Sequence, residues 1–242
     1  DDKKKYKNKT KVRMRLVMTL ALLLNFGILA FLKYYNFFAG SLNDILGAFS
    51  LDFSAPSLKL ILPLGISFYT FQSMGYIVDV YREKTDAQRN PFKLLLFVSF
   101  FPQIIQGPIS IYDQLAAQLF EPHEFDFTRM KHGMELILWG FFKKLIIADR
   151  VAILVTQVFD NYADYSGCIV LLAMLFYTIQ IYADFSGGID IARGVAQCMG
   201  IEMGHNFMRP YFAHDLSEFW RRWHMSLSFW TRDYIFYSIT LS

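Results

Sequence analysis

Phe219-Trp-Arg-Arg-Trp-His-Met-Ser-Leu-Ser-Phe-Trp-Thr-Arg-Asp-Tyr-Ile-Phe236 sets tryptophan, arginine and histidine in one apolar frame. Charged side chains almost never enter a soluble core unpaired, so the stretch points away from an ordinary globular interior. At helical spacing, Trp220, Trp223, His224 and Leu227 fall at i, i+3, i+4 and i+7 on one face, with Glu218, Arg221, Arg222, Met225 and Arg232 on the others. The pattern predicts a helix with His224 on an aromatic stripe. Asp215 and Glu218 spell a capping box at its start. Glu218 also precedes Arg222 by four residues, the orientation that supports a helix by about 0.2–0.5 kcal/mol.

Outward from this block the composition is that of a membrane chain. Of 242 residues, 54% are hydrophobic, 18% aromatic and 19% charged, against a charged fraction of about a quarter in ordinary domains. A helix needs roughly twenty apolar residues to cross the hydrocarbon, and several runs approach that length. Leu16 to Leu32 is uncharged and follows a block, Lys3 to Arg15, with eight basic residues. The positive-inside rule puts that block in the cytoplasm. Without it, acidic residues outnumber basic ones, so the net charge of +3 is a topology signal and no footprint of nucleic-acid binding.

Leu60 to Val80 reads as a second span, interrupted by Pro63 and Gly65. Its Ser67, Thr70, Gln72 and Ser73 are expected to face protein or a water-filled cavity. Arg82, Lys84, Arg89 and Lys93 then return the chain to the cytoplasm. Leu94 to Ile111 holds Pro102, Gln103, Gln106, Gly107 and Pro108, which predicts a re-entrant or broken helix rather than a straight crossing. Tyr112 to His132 reads as a loop with room for a short surface helix. From Gly133 an apolar run carries Lys143, Lys144, Asp149 and Arg150, placed to snorkel at an interface or to face a cavity. Cys168 to Ala183 is a further span, which Gly187 and Gly188 close or turn. The fold class is therefore all-α: a polytopic transmembrane helical bundle with re-entrant and interfacial helices. Residues 1–242 form a single membrane domain in this reading, with 1–15 a basic cytoplasmic segment.

Among candidate chemical groups His224 stands first. A histidine within a membrane is costly unless paired, and imidazole is the side chain suited to proton transfer near neutral pH. The alternative is a structural imidazole bonded to a neighbouring carbonyl. Asp184, at the end of an uncharged span, reads as lining a polar cavity, and Asp190 reads as a helix cap. Arg221, Arg222 and Arg232 are either interfacial anchors on anionic lipid or bidentate holders of a phosphate or carboxylate. The tryptophans form a membrane-interface belt or a tunnel wall. Cys168 and Cys198 fit no metal spacing or disulfide framework and read as small core residues. His123, His132 and His205 sit in polar stretches and lack ligand spacing with carboxylates, so no metal site is expected.

These residues resemble a family, the membrane-bound O-acyltransferases, in the branch that O-acetylates alginate. The resemblance begins at Lys33-Tyr-Tyr-Asn-Phe-Phe38 and continues through Pro63-Leu-Gly-Ile-Ser-Phe-Tyr-Thr-Phe-Gln72 and Tyr76-Ile-Val-Asp-Val-Tyr-Arg82. It includes Phe100-Phe-Pro-Gln-Ile-Ile-Gln-Gly-Pro-Ile109, Gln180-Ile-Tyr-Ala-Asp-Phe-Ser-Gly187 and Asn206-Phe-Met-Arg-Pro-Tyr211, and it ends on the Trp-Arg-Arg-Trp-His block.

What the resemblance implies is a multi-helix enzyme of the bacterial plasma membrane with a tunnel through the bilayer. It implies acyl transfer, in this branch acetyl, from acetyl-CoA or a related cytoplasmic thioester to an exported polysaccharide, with an extracytoplasmic acetyltransferase as partner, lipid around it and no bound cofactor. His224 matches the first of two family histidines. The second, in a later Trp-His-Gly type motif and taken as the base, has no match before Ser242, so the chain reads as an internal fragment. The resemblance puts Asp184, Asn206, Arg209, Arg222 and Gln106 along the tunnel, with Trp220 and Trp223 excluding water. His205 stands where relatives often carry an acidic residue. Two other functions compete: D-alanyl transfer to teichoic acid, and a transporter with a mid-membrane substrate site. A non-catalytic scaffold is a third.

Overall fold

A computed structural model describes residues 2–49 and 54–240, residues 2–9 as backbone. The described residues are helical and include no β-strand. They belong to two compact units, Asp1–Leu94 and Leu95–Ser242.

In the first unit, helix α1 (Asp2–Ala48) has 47 residues, about 70 Å at 1.5 Å per residue. The basic block forms the first turns of the same helix as the span that follows it, and the side chains before Thr10 lie outside the described residues. Thr10–Ala48 is long and apolar enough to cross a membrane. Residues 54–63 then run without regular secondary structure, Ala55 and Leu58 being held to α1 by two asparagines seven positions apart. The Asn43 amide donates to the Ala55 carbonyl at 3.0 Å and accepts from the Ala55 N–H at 2.7 Å, and Asn36 does the same for Leu58 at 2.8 and 2.9 Å. A carboxamide can do this because it carries a donor and an acceptor side by side, like a peptide group.

The expected second span, Leu60 to Val80, is interrupted at Pro63 and Gly65 as expected, but it is helical only beyond them, as α2 (Ile66–Tyr81). Gly65 has φ 74°, a left-handed conformation that glycine adopts without steric cost, and it turns the chain into the helix. Sixteen residues rise only about 24 Å, short of the roughly 30 Å of hydrocarbon. The expectation for its polar residues holds at Thr70 and Gln72, which are buried.

Helix α3 (Pro91–Val98) leads into the second unit and is followed by α4 (Phe101–Gln106), so the apolar run is broken as its prolines predict. Pro102 lies in the first turn of α4, where a missing N–H costs nothing. The region 112–132 is not mainly loop. It contains α5 (Tyr112–Phe120), which buries Leu115 and Ala116, and the start of α6 (Phe127–Phe141). The Asp126 side chain caps α6 by accepting from the N–H groups of Thr128 and Arg129 at 2.8 and 3.2 Å.

Helix α6 continues without a break into a π-helical segment (Phe142–Ala148) and then α7 (Asp149–Asp160). Helix α8 (Gly167–Cys198) is the second helix among the described residues long and apolar enough to cross a membrane. It passes straight through Gly187 and Gly188, so these glycines neither close it nor turn it, and Asp190 is no cap but a mid-helix residue. The reason is packing against α6. A Cβ on Gly140 would stand 2.6 Å from the Gly187 carbonyl oxygen, and one on Gly194 would stand 2.6 Å from that of Gly133. Two glycine pairs, seven residues apart and in opposite chain order, thus let α6 and α8 cross antiparallel at backbone contact, a small-residue interface of the kind membrane helices use. Cys168 is exposed and Cys198 half-buried, so neither is a core residue.

The single helix predicted over Phe219 to Phe236 is also corrected. It is built as α9 (Leu216–Arg222), α10 (Met225–Trp230), a π-helical segment (Thr231–Phe236) and α11 (Tyr237–Thr240). Trp223 and His224 form the break between α9 and α10, so Trp220 and His224 do not share one helical face.

Candidate active site

The break at His224 has an identifiable cause. His224 has φ 44° and ψ 54°, a left-handed conformation that costs a non-glycine residue roughly 1–2 kcal/mol. What holds it there is the segment after α8. Asn206 accepts from the Met225 N–H on its backbone carbonyl at 3.0 Å and from the Ser226 N–H on its side-chain oxygen at 2.9 Å. Two residues on, the Met208 N–H donates to the Arg222 carbonyl at 3.0 Å. The two N–H groups that open α10 are therefore satisfied from outside the helix. Ser226 adds a second link, its hydroxyl accepting from the Ile109 N–H at 3.0 Å just beyond α4.

The surroundings of the imidazole are aromatic. Phe185 of α8 meets the His224 ring edge-on at 4.7 Å, and Phe207 meets Phe185 at 5.2 Å and Trp223 at 4.9 Å. Trp223 stacks on Phe219 at 5.5 Å, and Tyr211 and Tyr182 complete the cluster. Inside this setting His224 Nε2 and Asn206 Nδ2 are both buried and without a hydrogen-bond partner among the described residues. Buried polar atoms are rarely left so, which makes a pair of them a feature to be explained by chemistry.

A second polar cluster lies along α8. Lys143, in the π-helical segment, donates to Asp190 at 2.6 Å and to the Ser186 hydroxyl at 3.0 Å. Arg193 reaches the other Asp190 oxygen at 3.5 Å, donates to the Met203 carbonyl at 3.2 Å and lies 3.3 Å from His205 Nε2. Burial, and after it the Arg193 guanidinium, lower the His205 pKa below the ordinary imidazole value. Lys144 pairs with Asp184. The lysines therefore make ion pairs with α8 within the protein. Beside Arg193 and His205 lies a polar cavity of about 410 Å³, also lined by Gln118, Gln197 and Glu202.

Of the residues expected at the site, the structure gathers Asn206, Arg222, Trp223 and His224. Asp184 is engaged by Lys144, although its neighbour Phe185 touches His224. Gln106 packs against Gly188 of α8, where a Cβ would fall 1.8 Å from its side-chain oxygen. Arg209 is exposed, in a left-handed conformation at the start of the short 3-10 turn Pro210–Phe212. Trp220 is 55% exposed and meets Phe219 rather than Trp223. The capping box is present in shifted form: Asp215 accepts from the Glu218 N–H at 2.7 Å, while Glu218 reaches back to the N–H of His214 at 2.7 Å and pairs with Arg222 at 2.5 Å. The His214 amide, and with it Arg222, holds the half-buried Glu218 carboxylate below its usual pKa. Sequence reasoning missed Lys143, Ser186, Arg193 and Ser226 as partners. The four-residue steps Tyr182, Ser186 and Asp190 along α8 were the available signal, because they place those groups on one face.

A helical chain with the Trp-Arg-Arg-Trp-His motif ending at a half-buried histidine, its Nε2 enclosed, defines a class. Residues 85–242 match the model of MBOAT, the membrane-bound O-acyltransferase family, and the chain belongs to that family of membrane proteins. It is 40% identical over 214 residues to a probable alginate O-acetylase of Pseudomonas putida, covering 88% of this chain and 43% of that protein. It is 34% identical to the peptidoglycan O-acetyltransferase of Helicobacter pylori, covering 92% and 46%. It is also 34% identical to the teichoic acid D-alanyltransferase of Bacillus subtilis, covering 75% and 46%. The chain thus spans less than half the length of each of these curated relatives.

Proposed function

We propose that this chain is part of a membrane O-acyltransferase that moves an acetyl group from a cytoplasmic thioester, such as acetyl-CoA, to a hydroxyl of an exported polysaccharide. The single observation that carries the reading is the buried, unpartnered Nε2 of His224 at the end of the Trp-Arg-Arg-Trp-His motif. In the reaction an acceptor oxygen forms a bond to the acyl carbon while the carbon–sulfur bond breaks, and the hydroxyl proton passes through a base to the departing thiolate. The base in this reading is a second histidine, as the family resemblance implies. His224 binds and orients the reacting groups, and the aromatic cluster around Trp223 keeps water from hydrolysing the thioester. Acetyl rather than D-alanyl transfer is supported by the higher identity to the alginate relative than to the teichoic acid one. The exported acceptor also calls for an extracytoplasmic partner that completes transfer on the outer side. The basic start of α1 faces the cytoplasm of a bacterial inner membrane that the whole protein crosses several times.

The test is surface-polysaccharide acylation in cells whose full-length protein carries His224→Ala, compared with wild type at matched membrane abundance. Acylation is expected to fall at least to a few per cent of wild type, in line with the roughly 100-fold that misplacing reacting groups by about an ångström costs. Unchanged acylation would return His224 to a structural role. Supplying labelled acetyl-CoA or a D-alanyl carrier thioester to membranes separates the two donor chemistries.

A further inference from the structure

We propose that Asn206 is the positioning residue of His224, and that it acts through its side-chain oxygen rather than by touching substrate. Three observations converge on it. Asn206 is 1% exposed, the most buried of the residues gathered at the site. It is bonded to the two residues that directly follow His224, Met225 through its backbone carbonyl and Ser226 through its side chain. The residue those bonds fix, His224, occupies a left-handed conformation that a non-glycine residue keeps only when its surroundings over-determine it.

The orientation of the Asn206 amide is itself determined. The Ser226 N–H can only donate, so the Asn206 atom facing it must be the oxygen, and the NH2 group must face away. Ser226 is in turn held from the far side by the Ile109 N–H on its hydroxyl. The start of α10 is thus tied to the segment before Pro210 and to the end of the broken α3–α4 run. Without the Asn206 oxygen, the Ser226 N–H would be left unpaired, and the start of α10 would be held only by the backbone bonds of Met225 and Met208, which weakens the turn that keeps the His224 imidazole against Phe185.

The inference rests on the acyltransferase reading only in its activity arm, and a second arm stands without it. In the full-length protein, Asn206→Leu keeps the size of the side chain and removes the acceptor, whereas Asn206→Asp keeps the acceptor and removes the NH2 donor. Positioning predicts that Asn206→Leu lowers kcat by about 100-fold, the cost of displacing a reacting group by around an ångström. The Asn206→Asp variant is read through His224 reactivity alone, because the Asn206 NH2 group is buried at the site without a partner among the described residues. The second readout is the rate at which diethyl pyrocarbonate modifies His224, followed by mass spectrometry in membranes. It is expected to rise several-fold in Asn206→Leu and to be unchanged in Asn206→Asp. Wild-type reactivity in Asn206→Leu would overturn the proposal, as would an equal rise in reactivity in both variants. If His224→Ala is active while the reactivity pattern holds, the catalytic reading fails and the positioning role survives.

Discussion

Lys143 shows what a single residue has to satisfy in this protein. Its side chain is 10% exposed and pairs with an Asp190 carboxylate that is 16% exposed and shared with Arg193. Such a pair contributes little over a hydrophobic replacement, but removing one partner leaves a buried charge without compensation. Asp190→Asn leaves both Lys143 and Arg193 short of a counter-charge, and is expected to destabilise the protein by roughly 3–5 kcal/mol. A double replacement, Lys143→Met with Asp190→Leu, should recover part of that loss. Denaturant or thermal melts of the purified full-length protein check it, and a single variant as stable as wild type would show that the cluster is well solvated. At this scale the sequence shows which groups are unusual but not how they pair: Lys143 to Asp190 spans 47 positions, and nothing in the local pattern links them.

At the scale of elements, the crossing of α6 and α8 depends on the absence of side chains. Gly133 and Gly140 on one helix meet Gly194 and Gly187 on the other. Adding one methyl group as Gly140→Ala puts carbon 2.6 Å from a backbone oxygen and 2.7 Å from an Ile191 side-chain carbon, so the helices must separate. The expected loss is about 1–3 kcal/mol, the usual cost of overpacking. Gly27→Ala in α1 is the control, because nothing lies within 4 Å of the added atom there. It should be neutral, or stabilising by up to about 1 kcal/mol from helix propensity. A melt in which both variants behave alike would remove the packing explanation. The helices themselves were legible in the apolar runs, whereas their ends were not. Gly187 and Gly188 carry the local signature of a helix stop, and only the approach of α6 and Gln106 explains why the chain keeps small residues there while remaining helical.

For the whole molecule, the long apolar helices decide where the protein lives and the basic residues decide how it is oriented. Helix α1 carries eight basic residues between Lys3 and Arg15 and then an uncharged run from Leu16 to Leu32. A charge at mid-bilayer costs several kcal/mol, so the block stays out of the hydrocarbon, and the proposed orientation puts it on the cytoplasmic side. With Cys168 and Cys198 changed to serine, a full-length protein bearing Lys7→Cys should resist a membrane-impermeant maleimide in intact cells and react in inverted vesicles. The opposite labelling pattern would reverse the orientation.

The sequence by itself determined the helical class, the membrane setting and the family. Each depends on composition, on hydrophobic runs or on short contiguous motifs, and these are local properties. It also nominated His224 as a candidate and specified the Asp215–Glu218–Arg222 arrangement at the start of α9, because helix caps and four-residue pairs are set by neighbours in the chain. Only the tertiary structure decided that the helix breaks at His224, that α8 runs through its glycines and that the lysines of the π-helical segment are paired. In each case a partner distant in sequence supplies the deciding contact: Asn206 for the turn, α6 for the glycines, Asp190 and Asp184 for the lysines. Local propensity is worth tenths of a kcal/mol per residue, whereas a buried unpaired N–H, a backbone clash or a buried lone charge costs whole kcal/mol.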